Sequence, residues 1–205
     1  MNIAVLFARN NSIYKRLPGC DVYDIARDAR TWPGGTSVVA HPPCRAWGRL
    51  RTFARPRVDE KSLALFAVDS VRRFGGVLEH PAHSTLWDAA GLPLPGQRDS
   101  AGGFTYPINQ NWFGHRATKA TWLYVVGIEP GELPAIPFVL GEGSHVIAQH
   151  RTFANGARLV KGMPGWRPEV GKAEREHTPP VLAAWLVYVA ELARASLAAR
   201  AVSVG

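Results

Sequence analysis

The sequence predicts a single α/β domain built on a mostly parallel sheet with helices on both faces. Three observations carry that expectation. The chain opens on a near-continuous apolar run, Asn2-Ile3-Ala4-Val5-Leu6-Phe7-Ala8, of the kind found in central strands covered on both sides. Two further runs each empty into a proline-bearing stretch: Ser37-Val38-Val39-Ala40 into His41-Pro42-Pro43-Cys44, and Val77-Leu78 into Glu79-His80-Pro81. Between them, Leu63, Phe66, Ala67, Val71 and Phe74 recur at helical spacing.

Taken in order, the first strand covers residues 2–8 and is followed by a polar stretch, Arg9-Asn10-Asn11-Ser12-Ile13-Tyr14-Lys15, and a break at Pro18-Gly19. Asp21 to Ile25 resumes as a second strand. Asp24 falls near its carboxyl end, where open α/β sheets place ligand-binding groups, and it either receives a ribose or, like Asp28, caps a helical turn over 26–30. Trp32-Pro33-Gly34-Gly35 is a turn and Thr36 to Ala40 a third strand. Asp59 opens a helix running to about Arg73, closed by Gly75-Gly76. Residues 82–111, rich in Pro, Gly and Ser, read as an irregular excursion, and Lys119 to Val126 as another strand. From Glu129 to Arg167 the chain is loop-like, with small hairpins at the Gly141–Gly143 and Asn155-Gly156 turns. Lys172, Glu174 and Arg175 form a charged surface turn. Thr178-Pro179-Pro180 then starts a final helix with Leu182, Trp185, Leu186, Val189 and Leu192 on its buried face, and the Ala-rich tail 195–205 frays.

The 205 residues suffice for a core without staples, and two cysteines, Cys20 and Cys44, make no disulfide framework. No signal peptide and no span of transmembrane length are read, so the expected location is the cytoplasm, with no membrane partner and a monomeric state. The 24 basic against 16 acidic residues leave a formal charge of +8, which favours phosphate-bearing partners.

The candidate centre is the Pro42-Pro43-Cys44 turn, where a rigid corner holds a thiol beside a basic, aromatic stretch containing Arg45, Arg49, Arg51, Arg55 and Arg57 with Trp47 and Phe53. A cysteine after two prolines is more often a buried structural thiol. The strand order, however, brings Glu79 to the same sheet edge, and a thiolate adding to an electron-poor ring needs a nearby carboxyl group to handle the proton. His41-x-x-Cys44 and His80-x-x-His83 have metal-ligand spacing, but no second ligand pair accompanies them and no metal is expected.

Pro42-Pro43-Cys44 after a strand, Glu79-His80-Pro81 after the next, Gln110 through Phe113-Gly114-His115-Arg116 with Lys119 and Thr121 entering a further strand, and a closing Thr178-Pro179-Pro180-Val181-Leu182-Ala183 helix occur in one order. That order resembles the DNA cytosine-5 methyltransferases in the compact, divergent form of phages and prophages. The resemblance implies a reduced Rossmann-like, methyltransferase-type core and DNA as partner. It makes Cys44 the nucleophile toward carbon 6 of a flipped-out cytosine and Glu79 the group holding nitrogen 3 and the exocyclic amine. Arg116 and Lys119 become catalytic auxiliaries. Arg45, Arg49, Arg51, Arg55 and Arg57 become a nucleic-acid-binding loop, joined by Gln110. Residues 128–169 stand in for the family's target-recognition region, a small one, in which Arg151, Arg158, Lys161 and Arg167 either contact phosphates or belong to a plain solvated loop.

For the cofactor, the resemblance implies S-adenosyl-L-methionine, held by Phe7, Ala8, Asp24, Pro42 and Thr178. Here the chain departs from the family, with Arg9-Asn10-Asn11-Ser12 in place of the glycines after Phe7-Ala8 and only residues 28–36 between the second and third strands. Two other readings therefore stand beside cytosine modification in DNA: a cofactor-altered or inactive DNA-binding protein of the same fold, and an enzyme acting on a free pyrimidine nucleotide.

Overall fold

A computed structural model describes residues 2–49, 51–139, 141–148 and 159–203, without the side chains of 201–203. It is an α/β fold on one six-stranded sheet among the described residues. The strands are β1 (Ile3–Leu6), β2 (Cys20–Val22), β3 (Val38–Ala40), β4 (Gly76–Pro81), β5 (Phe104–Asn109) and β6 (Ala120–Val126). Their order is β2-β1-β3-β4-β6-β5. The first four are mutually parallel, while β6 runs against both β4 and β5. The sheet is thus mixed rather than mostly parallel.

Pleat alternation sorts the strand residues into two cores. Ile3, Val5, Val39, Val77, Leu123 and Val125 face a cluster with Leu182, Leu186, Val189 and Ala193 of helix α4 (Pro180–Ser203). Ala4, Leu6, Val38, Ala40, Leu78 and Tyr124 face the other, with Ala64, Ala67, Val68 and Val71 of helix α1 (Glu60–Phe74). One helix covers each face, as the apolar strand runs require. The segment Lys172–Arg200 is long and apolar enough to cross a membrane by length and composition, against expectation. Within it, however, Leu182, Leu186, Val189 and Ala193 are fully buried against the sheet, as in the core helix of a globular domain.

Several elements differ from the sequence reading. The excursion 82–111 contains the short helix α2 (Leu86–Ala89) and strand β5, an edge strand where Pro107 removes no hydrogen bond that the sheet needs. Glu79, His80 and Pro81 lie within β4 instead of in a turn after it, because antiparallel pairing with β6 extends to Pro81↔Thr121. The charged turn before the last helix is a short helix, α3 (Lys172–Glu176). The terminal helix does not fray at 195 but runs to Ser203, with Leu197 packed at Gly75 and Gly127. In the 128–169 region the described residues form isolated parallel bridges, Ala117↔His145 and Val146↔Glu169, rather than hairpins. Arg151, Arg158 and the Asn155-Gly156 turn lie outside the described residues.

Candidate active site

The carboxyl edge of β1, β3 and β4 carries a line of hydrogen bonds that begins on one side of the sheet and ends on β6. Ala40 pairs with Leu78, so one residue further on His41 and Glu79 stand side by side, both on the α4 face by alternation. His41 Nδ1 lies 3.0 Å from Glu79 Oε2. On its other side, His41 Nε2 lies 2.8 Å from the hydroxyl of Tyr14, which sits in a 3-10 turn (Ile13–Arg16) after β1. Gln110 Nε2 donates to Glu79 Oε1 at 2.9 Å and to Thr121 Oγ1 at 3.1 Å. Neither Tyr14 nor His41 stood out in the sequence as a partner of Glu79. The only available signal was the position of His41 on the same strand face as Glu79.

Glu79 is 11% exposed, and its burial alone would push its carboxyl pKa upward. The charge of Lys119, followed by the hydrogen bond from His41, overcomes this and holds the pKa at about 2. The group is a carboxylate at neutral pH, not the ready proton donor that the sequence reading assigned. Its neighbour His80 points to the opposite face, fully buried against Trp87 and lacking a well-formed hydrogen bond at either ring nitrogen. Burial pulls its pKa down to about 4 against the opposing pull of Glu79, so it is neutral at pH 7.

Linkage gives both groups the same sign by different routes. The unfolded state binds more protons than the folded state between pH 6.5 and 4 for His80 and between 4.5 and 2 for Glu79. Stability is therefore full above pH 6.5 and falls as pH drops through these windows, by about 3 kcal/mol for each group. Urea unfolding at pH 7, 5 and 3 should show both losses, and His80→Leu should flatten the first.

Cys44 is solvent-accessible at the head of a turn whose carbonyl accepts from the amides of Trp47 and Gly48. The protein mass around the thiol, then the charge of Glu79, push its pKa up; Lys119 pulls it down. Cys44, Glu79 and Lys119 thus share one electrostatic neighbourhood, as expected from the sequence. Both nitrogens of His41 are occupied, so that residue is not the base of a Cys-His pair. Pro42 is buried beneath the turn, and the Trp47 carbonyl accepts from Ser84 Oγ and from both the amide and hydroxyl of Thr85. These bonds tie the turn to the residues after β4.

Other candidates are placed differently. Arg116 makes a two-toothed ion pair with Glu174 of α3 and also contacts His145, so its guanidinium serves the packing of α3. Gln110 is completely buried and cannot touch nucleic acid; it positions Glu79. In the basic stretch, Arg45 and Arg57 pair with the fully buried Glu60 at the start of α1 and anchor the loop. Arg49, Arg51 and Arg55 are exposed between those anchors, beside Phe53 at 86% exposure. His83 packs on Trp122 at 4.7 Å, apart from the His41 line, and among the described residues no three metal-ligating side chains gather.

The residues on the cofactor side do not fit S-adenosyl-L-methionine. Strand order reverses at β1, so the ligand crevice of this open sheet lies between the ends of β1 and β3. Tyr14, 1% exposed, fills it and reaches His41. Phe7 takes φ 63°, a glycine-like backbone, but its side chain packs edge-on against Phe66. The Ala8 amide donates to the Tyr23 carbonyl. Both Asp24 oxygens are taken by the chain itself, one by the amides of Ala26 and Arg27 in a bend and the other by Lys15, and the expected helical turn over 26–30 is a 3-10 turn at Ala29–Thr31 capped by Asp28, not Asp24. Thr178 lines an open cleft of about 300 Å³ with Asn11, Ile13, Arg16 and His177. The carboxylate in that lining, Glu174, is bound to Arg116. No family model matches the chain, and no curated protein is significantly similar to it.

Proposed function

We propose that the protein acts on cytosine in DNA through addition of Cys44 to carbon 6, with Glu79 holding the ring. The observation that carries this reading is the placement of an ionised, two-sidedly hydrogen-bonded Glu79 on the strand beside the Cys44 turn, with Lys119 acting on both groups. The parallel β2-β1-β3-β4 order, with its reversal at β1, is compatible with a shortened Rossmann-like core. Arg49, Arg51, Arg55 and Phe53 provide cationic and aromatic surface for a phosphate backbone and an unstacked base. A stacked base is inaccessible to two groups on one edge, so the target is extruded from the helix.

The step balances without a donor. The sulfur–carbon 6 bond forms as the π pair of the 5,6 double bond moves toward nitrogen 3. Sulfur loses one proton, and nitrogen 3 gains one. The proton that sulfur releases reaches nitrogen 3 through solvent and is given back when sulfur leaves; the ionised Glu79 accepts from the exocyclic amine and from the protonated nitrogen 3, while Lys119 offsets charge on the thiolate. Carbon 5 of the adduct is then nucleophilic and takes up a solvent proton; loss of the original carbon 5 hydrogen and expulsion of sulfur restore the base. No step is routed through S-adenosyl-L-methionine, and the filled crevice favours a cofactor-altered member of this chemistry. The setting is the modification of DNA in the cytoplasm by a monomer.

The test is exchange of deuterium from carbon 5 of cytosine in duplex DNA, followed by mass spectrometry without any added donor. Exchange by the wild type and none by Cys44→Ser is expected. Exchange confined to a free cytidine nucleotide moves the substrate to the monomer. DNA binding unaccompanied by exchange on any substrate leaves a binding protein and sinks the catalytic reading.

A further inference from the structure

We propose that Tyr14 and His41 are positioning residues that set the proton arrangement around Glu79, with Tyr14 locking His41 in the tautomer that carries hydrogen on Nδ1. This rests on the reading of Glu79 as the group that holds the ring.

The assignment follows from counting donors and acceptors. An ionised Glu79 can only accept, so His41 Nδ1, 3.0 Å from Oε2, must carry a hydrogen. Tyr14 is buried, and its hydroxyl has His41 Nε2 as its hydrogen-bond partner among the described residues. If Nε2 were also protonated, the tyrosine hydrogen would face no acceptor inside the protein, an arrangement that burial penalises. The stable state is therefore a neutral imidazole that accepts from Tyr14 and donates to Glu79.

The charged and titratable surroundings favour the same state. Lys119, ahead of β6, opposes a second positive charge. Glu79 and the neutral His80 come from β4, Cys44 follows His41 on its own turn, and Cys20 of β2 faces Tyr14. Burial, then Glu79 and Cys20, keep the tyrosine hydroxyl protonated well above its ordinary range, so Tyr14 holds its proton and does not relay it. With His41 on Oε2 and Gln110 on Oε1, the carboxylate is fixed from both sides and its remaining lone pairs are left for the ring. The ligand crevice of the sheet is thus used by the chain itself to orient its own carboxylate.

The experiment combines nitrogen NMR of the His41 ring with carbon 5 exchange. In the wild type, His41 should show the neutral Nδ1–H tautomer at pH 7. Tyr14→Phe removes only the hydroxyl, and the ring nitrogens should then lose the single-tautomer signature, because Nε2 no longer has its donor. Exchange by that variant should fall by about tenfold in kcat, with DNA affinity unchanged. His41→Asn, whose amide can still donate to Glu79, should retain more exchange than His41→Ala. A wild-type ring with hydrogen on Nε2, or a Tyr14→Phe ring spectrum and exchange rate like the wild type, overturns the proposal. The expected ring spectra without exchange on any substrate would overturn the catalytic reading instead and leave the lock standing.

Discussion

Glu79→Gln is expected to lower cytosine carbon 5 exchange by about 10²–10⁴-fold, the range for loss of a positioned acid–base group. Cys44→Ser should abolish it. The glutamine is nearly isosteric, so the effect is one of protons. Gln110 offers an N–H to Oε1, so the new amide must turn its oxygen toward Gln110 and its NH2 toward His41. That NH2 needs an acceptor at Nδ1, which moves the ring hydrogen to Nε2. Tyr14 must then accept rather than donate, and its own hydrogen loses its partner. One atom exchanged reverses both bonds on the His41 side and leaves the Gln110 bond as it was, and the neutral amide cannot offset the charge of a protonated nitrogen 3. Thermal unfolding at pH 7 checks that the fold persists, and the stability lost by the wild type between pH 4.5 and 2 should be absent in the variant.

Gly76→Ala is expected to cost at least about 5 kcal/mol, the whole stability of a domain at the lower end of the ordinary range. Gly76 has φ 114°, and a Cβ there would lie 2.0 Å from the carbonyl oxygen and 2.6 Å from the amide nitrogen of Val38. Those atoms are backbone in β3, held between β1 and β4, and cannot retreat. The same contact fixes the Val38↔Gly76 register from which His41 and Glu79 become neighbours. Gly75→Ala should be milder, about 1–3 kcal/mol, because its Cβ meets the end of the Leu197 side chain and, at 3.3 Å, the Val126 carbonyl oxygen, and its φ of 73° with ψ of 172° is a backbone essentially confined to glycine. Gly171→Ala, with open space around it, should stay within about 0.5 kcal/mol. Urea denaturation of the soluble variants measures all three; for Gly76→Ala the expected result is insoluble or unfolded protein.

Sequence patterning by itself determined the α/β class, the parallel β1, β3 and β4, the α1 and α4 helices, and the meeting of Cys44 with Glu79. Each follows from local periodicity and from the rule that successive parallel strands deliver their ends to one edge. Tertiary structure decided what depends on pairing between distant segments. The antiparallel β6 drew Glu79 into the strand, made the sheet mixed and gave edge strand β5 a partner despite Pro107. It likewise decided which cations are free, because an arginine's partner is a matter of where Glu60 or Glu174 comes to rest, and no spacing within 45–57 or 110–119 encodes that. The sequence showed the missing glycines after Phe7-Ala8, but only the packed structure shows what occupies their place. Tyr14 fills that crevice because a buried hydroxyl requires an acceptor, and His41, presented by the neighbouring strand, supplies one.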